Sequence, residues 1–420
     1  MQKALGQPPG AVRPLWVVVL AAGTIVGLAM GLRQVTGLYL PHMTRELGIG
    51  REPFSTAMAV ANLVWGIGAV FMGAIADRYG AGRVLVLGTI ASAAGFWLMS
   101  IGQPNSILLL SGVLMGIGVA GTGMTALVGA VGRAAPAEKR TAAIASLGMA
   151  GGIGGFVAFP FAHLTIEWTN WHTSLIILAG ASLAMMPLAI PLSGRPQPAA
   201  STARAQTLRE AFAEAFAHPS FWLLIAGFFV CGFHVAFYSV HLPAFVADKG
   251  LPAWVGVWAL MAVGIANIIG TYLAGQSGRV VEKRVGLSFI YFMRCFAFLG
   301  LLFLPMTPLT VIAISALLGL FWLSTVPLTS GLVATFFGTS WMSMLFGFVF
   351  LSHQIGSFTG LLMAGILYDM TKSYDVMWWI SIALGLFAAA VHWPIRERPV
   401  ARVIEEMKAL TGSAPAARPA

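Results

Sequence analysis

Long apolar blocks separated by short polar stops fill this chain almost from end to end. Twelve blocks stand out, at about 14–41, 52–76, 83–102, 105–132, 140–167 and 171–192, and again at about 219–247, 253–277, 286–305, 307–335, 340–368 and 375–394. They are apolar on every face rather than alternating with a period of two, which argues against a barrel of strands. Each holds about 20 residues or more, and at ~1.5 Å per residue that crosses a ~30 Å hydrocarbon core. A bilayer offers no partner for backbone N–H and C=O groups, so the blocks must be helices that satisfy themselves. The pattern predicts an all-α membrane protein of twelve transmembrane helices.

One polar connection is much longer than the rest. Ser193 to His218 is rich in Pro, Ala and Arg, with a helical pattern around Thr207–Phe216, and it splits the blocks six and six. The expected organisation is therefore a terminal stretch 1–13, a six-helix bundle 14–192, a linker 193–218, a second bundle 219–394 and a tail 395–420. Two pseudo-symmetric bundles with a solute site at their interface are the natural reading of such a plan.

Basic residues then orient it. Eighteen of the 24 Lys and Arg fall on the side of the termini and linker, whereas only Arg45, Arg51, Lys249 and Lys372 fall in the opposite loops. By the positive-inside bias both termini are expected in the cytoplasm. The same distribution disposes of a nucleic-acid reading of the +10 net charge, since the cations sit in short loops rather than on one soluble face. Composition agrees: 58% of the 420 residues are hydrophobic and 9% charged, against roughly a quarter charged in a soluble domain. Cys231 and Cys295 both lie inside apolar blocks and read as packing residues. No phosphate-binding loop, zinc spacing or Ser-His-Asp arrangement appears, so neither an enzyme nor an ATP-driven pump is expected, and no cofactor or metal is called for.

The loop after the second block reads Gly73-Ala-Ile-Ala-Asp77-Arg78-Tyr79-Gly80-Ala81-Gly82-Arg83. It resembles the signature loop of the major facilitator superfamily, which implies a twelve-helix secondary transporter. Gly73, Asp77, Arg78, Gly80 and Arg83 would then be gating residues, the glycines allowing a tight turn and Asp77 latching one bundle against the other. The second half has a degenerate echo, Gly275-Gln276-Ser277-Gly278-Arg279 then Glu282-Lys283-Arg284, without the acid. Within that superfamily the run Arg33-Gln34-Val35-Thr36-Gly37-Leu38-Tyr39-Leu40, followed by Glu46-Leu47-Gly48-Ile49 and Phe54-Ser55, is similar to the monocarboxylate transporter and oxalate–formate exchanger branch. That resemblance implies that the cation at Arg33 helps to bind a substrate carboxylate. The eighth span departs from it: Asn267 and Thr271 stand where the branch commonly carries an Asp and an Arg.

Arg33 also stands out without any resemblance. A guanidinium at lipid depth costs ~2.5–3.5 kcal/mol on insertion scales and normally marks a pathway or site. No Asp or Glu falls mid-block, Glu167 and Asp369 lying at outer ends, so the anion that balances Arg33 is most simply the cargo. The bland alternative is that Arg33 snorkels to the outer interface. His234, Tyr238 and His241 recur at i, i+4 and i+7 on one face of the seventh block and read as a stripe lining the cavity. Asn267 and His353 fall near mid-depth and complete the candidate substrate site. Histidine alone titrates near neutrality in these blocks, making His234 or His353 the expected proton carrier. Arg294, in the ninth block, is expected to be structural and bonded to carbonyls, and Gly112-x-x-x-Gly116 and Gly151-x-x-x-Gly155 read as packing faces.

Taken together, the expectation is a monomeric secondary transporter of the bacterial inner membrane that moves a small organic anion, most simply a monocarboxylate, by proton symport or anion exchange. Its partners would be that anion, protons and the lipid bilayer, with no nucleic acid. An exporter of amphipathic or neutral compounds, with Arg33 only an interface anchor, is the alternative.

Overall fold

The computed structural model describes residues 14–135, 137–193, 206–278, 280–338 and 341–405. Among them the first half contains α1 (Leu15–Gln34), α2 (Leu40–Leu47), α3 (Glu52–Tyr79), α4 (Ala81–Ile101), α5 (Asn105–Thr122), α6 (Met124–Ala134), α7 (Ala137–Trp168) and α8 (Trp171–Leu183). A short helix α9 (Leu208–Phe216) follows in the polar connection, opened by a capping box between Thr207 and Glu210. The second half contains α10 (Pro219–Asp248), α11 (Ala253–Ser277), α12 (Lys283–Phe303), α13 (Pro308–Leu320), α14 (Thr325–Phe337), α15 (Met342–Thr371) and α16 (Asp375–His392). Grouped by length and hydropathy these make twelve membrane spans.

The two halves repeat one packing scheme. In the first, α1 packs on α7, α3 on α5, and α4 on α8; six spans later α10 packs on α15, α11 on α13, and α12 on α16. Glycine makes several of these contacts possible. A Cβ on Gly112 or Gly116 of α5 would strike the carbonyls of Ala57 and Ala61 on α3, and one on Gly154 of α7 would strike Gly27 of α1. Bilayer spans gain little from hydrophobic contact with one another, so this close backbone approach supplies the van der Waals attraction.

Four spans are not the single rods that the blocks suggest, the sixth among them ending in a separate 3-10 stretch, Pro187–Leu192, past α8. The first continues past Pro41 to Leu47 through a 3-10 stretch, Val35–Tyr39, because proline is tolerated in the opening turn of α2. The fourth breaks at the extended Gly123 between α5 and α6, and the tenth breaks at Phe321–Ser324 between α13 and α14. These are the same span in each half.

The halves meet along α3 and α15 on one flank and α7 and α11 on the other, with α10 against the 3-10 stretch. On the first flank the contacts form an antiparallel ladder. Gly50 abuts Asp369, Gly365 abuts Ser55, and Gly66 abuts Gln354, where a methyl on the glycine would come within 2.7 Å of the glutamine Cβ. Below Gly66 the ladder stops. The seam is thus closed at the end away from the linker and parted at the end nearer to it.

Candidate functional site

The apex of the parted seam is built around Arg33. Because the first span runs on to Leu47, Arg33 lies just past the midpoint of the 33-residue stretch Leu15–Leu47 rather than near its outer end. Its guanidinium carbon sits 4.7 Å above the centroid of the Trp65 ring, a cation–π arrangement, and its Nη1 reaches Asn62 Oδ1 at 3.4 Å. Its Nε is buried without a partner, and no carboxylate among the described residues pairs with it. On the side facing into the first bundle, among Ala29, Leu32, Phe96 and Met115, the free space is only about 10 Å³. That is at the lower limit for one water, so a solute must reach Arg33 from elsewhere.

The second half closes the apex with α15. Gln354 Nε2 donates to the Asn62 carbonyl oxygen at 3.0 Å and its Oε1 lies 2.9 Å from His353 Nδ1. Trp65 meets Phe350 edge-on across the seam at 5.3 Å between centroids. Phe350 in turn stacks on His353 at 5.6 Å, and Phe228 lies 5.2 Å from the same imidazole. Arg33, Asn62, Trp65, Phe350, His353 and Gln354 therefore form one group drawn from both halves. Asn62 and Trp65 were not among the sequence candidates. The signal for Asn62 was available, as a lone amide in the middle of an apolar block.

Four other predicted residues lie elsewhere. His234 and Tyr238 share a face, as their spacing requires, but that face turns into the second bundle. His234 Nε2 bonds the Ser381 carbonyl oxygen at 2.9 Å and packs on Phe298, while Tyr238 Oη is 2.7 Å from Ser315 Oγ. Both are fully buried, so the expected lining stripe is instead a packing stripe. Asn267 is also structural in its contacts. Its Oδ1 accepts from the Leu323 backbone N–H at 2.9 Å, filling a vacancy left by the break in the tenth span.

Arg294 serves the same break from the other side. Its Nε and Nη2 donate to the Phe321 carbonyl at 2.9 and 2.7 Å, and Nη2 also reaches the Trp322 carbonyl. These carbonyls lie just past the C-terminus of α13, where the helix dipole favours a cation.

His241 belongs to a latch at the closed end. There Arg51 Nη2 pairs with Asp248 Oδ1, Nη1 donates to Tyr374 Oη at 2.6 Å, and the guanidinium lies 3.6 Å over the Tyr368 ring. Tyr374 Oη is 2.7 Å from His241 Nδ1, and His241 Nε2 is 3.2 Å from Ser55 Oγ. Asp369 accepts the backbone N–H groups of Arg51 and Glu52 at 2.9 and 2.8 Å, capping α3 from the opposite half. Burial works against the charge on Arg51, but Tyr374 and Asp248 outweigh it and hold the guanidinium above its ordinary value.

The signature loop lies at the parted end. Gly80, at φ 94°, makes the turn between α3 and α4 in a conformation that favours glycine. Gly80 and Arg83 line a cavity of about 1100 Å³ with Tyr79, Met186, Pro187 and Ser193. This larger cavity is separate from the Arg33 group. The side chains of Asp77 and Arg78 lie outside the described ones, as do Arg279 and residues 1–13, 194–205 and 406–420.

Known proteins resemble this architecture. A solved bacterial homolog of the human lysosomal transporter Spinster, in an inward-facing and unoccupied conformation, superposes with a TM-score of 0.70 at 16% identity, covering 92% of this chain and 95% of that one. In sequence, the 4-hydroxybenzoate transporter PcaK of Pseudomonas putida is 31% identical over 46% of this chain and 41% of its own length. Human monocarboxylate transporter 11 is 26% identical over 60% of this chain and 53% of its own. The chain thus spans about half the length of these two relatives. An uncharacterized MFS-type transporter of Bacillus subtilis, YcxA, is 23% identical over 86% of this chain and 90% of its own. The family model described as Major Facilitator Superfamily matches residues 19–361. This chain belongs to the major facilitator superfamily, a family of transporters and not of enzymes.

Proposed function

We propose that this transporter carries a small organic anion, in the simplest case a monocarboxylate, by alternating access around Arg33. The observation that carries the reading is the Arg33 guanidinium, placed at the meeting of the two halves with an aromatic face and an amide for company and no acidic partner among the described residues. A buried cation left in this state is stabilised when an anion arrives, and that differential is what binding requires. An interface anchor would instead extend to the headgroups. Two relatives have carboxylate cargo in their names, 4-hydroxybenzoate in one and monocarboxylate in the other.

With the termini in the cytoplasm, as the basic loops favour, the parted end faces inward and the Arg51 latch closes the outer end. The setting is a bacterial inner membrane, in line with the inner membrane transport protein YajR of Escherichia coli among the relatives. If a proton accompanies the anion, His353 is the carrier that this geometry favours, because it adjoins the Arg33 group whereas His234 is packed against Phe298. A thermal-shift screen of the purified protein with acids and their amides tests the reading. Stabilisation by the acids alone is expected, and equal stabilisation by the amides would favour the alternative cargo of neutral compounds.

A further inference from the structure

We infer that the anion held at Arg33 carries an aromatic ring, which seats against Trp65 and Phe350. The inference rests on the anion reading above and deepens it. Four rings from three helices, Trp65, Phe228, Phe350 and His353, gather beside one guanidinium at the meeting of the halves. Trp65 and Phe350 are both half-buried, and the seam parts just beyond them. Ring surface is thereby left open to a solute entering from the parted end.

Geometry then directs the rest of the ligand. A carboxylate bonded to Arg33 cannot send its substituent into the first bundle, where about 10 Å³ is free. The substituent must run along the indole that the guanidinium already covers at 4.7 Å, towards Phe350. Edge-to-face contact is the arrangement these two rings already adopt, at 74° between planes, and a third ring seated beside them meets the same quadrupoles. A second carboxylate on the ligand would lack a cation, since Arg294 is committed to the Phe321 and Trp322 carbonyls. The class that fits is an aromatic monocarboxylate. If the rings only pack the seam, a saturated ligand of equal size will bind as well as an aromatic one.

Isothermal titration of the full-length protein with benzoate, cyclohexanecarboxylate and benzamide separates the possibilities. Benzoate is expected to bind about 3- to 10-fold more tightly than cyclohexanecarboxylate, the worth of one good aromatic pair. Trp65→Leu should bring that ratio towards one and Trp65→Phe should preserve much of it. Phe350→Leu repeats the test if the tryptophan variant does not fold. Equal affinity for the two acids in the natural protein, or a ratio unmoved by both leucine variants, overturns the aromatic inference while leaving the anion reading intact. Benzamide binding as well as benzoate overturns both.

Discussion

Gly73 on α3 and Gly347 on α15 are the next rung of the ladder that joins the halves, yet a methyl on either would meet nothing within 4 Å. One rung earlier, Gly66 is pressed against Gln354. Each pair lies seven residues apart on its own helix, hence on one face, so the change from contact to open space measures how the seam parts. Alternating access requires this rung to close when the other end opens. A double variant, Gly73→Cys with Gly347→Cys, should resist cross-linking by a short bifunctional reagent in the conformation described here and accept it once the outer end opens. Efficient cross-linking of the closed-latch state would contradict the picture.

The Arg51 latch is predicted to set the balance between those states. Arg51 and Asp248 form the one ion pair between halves among the described residues. Asp248→Asn keeps the shape and removes the charge, and losing a charged hydrogen bond shifts an equilibrium by about 1.5–3 kcal/mol. The outer end should open for about a 10- to 150-fold larger share of the time, read as faster labelling of a cysteine introduced beside Ser55. Because Arg51 holds its proton above the ordinary range, raising the pH from 6 to 9 should not release the latch through this residue.

Arg294 is predicted to matter for stability rather than for cargo. Arg294→Leu leaves the Phe321 and Trp322 carbonyls without their donors at the break in the tenth span. Each orphaned carbonyl costs about 1–3 kcal/mol, offset in part by removing a buried charge. The melting temperature in detergent should fall. The acid-over-amide preference of whatever protein remains folded should not change.

The two histidines should separate in the same way. His353→Gln removes the imidazole beside the Arg33 group and should flatten the dependence of uptake on an imposed pH gradient. His234→Gln loses a bond to Ser381 inside the second bundle, so it should lower stability and leave that dependence in place. A flattened profile in His234→Gln alone would reverse the assignment.

Much of the fold was legible because a bilayer fixes the length of each apolar block and a long polar connection marks the halves. The breaks at Gly123 and at Phe321–Ser324 were not, since their residues are as apolar as their neighbours and the partners that satisfy the second, Asn267 and Arg294, come from other spans. Periodicity put His234, Tyr238 and His241 on one face but carried no information about which neighbour that face would meet. It meets α12, α13 and α16, and touches the seam only at the closed end, where His241 reaches Ser55 and Tyr374. Arg33 was conspicuous by charge, while its depth depended on whether Pro41 ended the helix or opened the next one.

The most direct test is the affinity of a single carboxylate for the natural protein and for Arg33→Gln, measured on samples of matched stability. Loss of a charge-assisted bond worth about 1.5–3 kcal/mol should weaken binding about 10- to 150-fold, while the corresponding amide loses little or nothing. Unchanged affinity for the acid in Arg33→Gln would contradict the claim that this guanidinium holds the cargo.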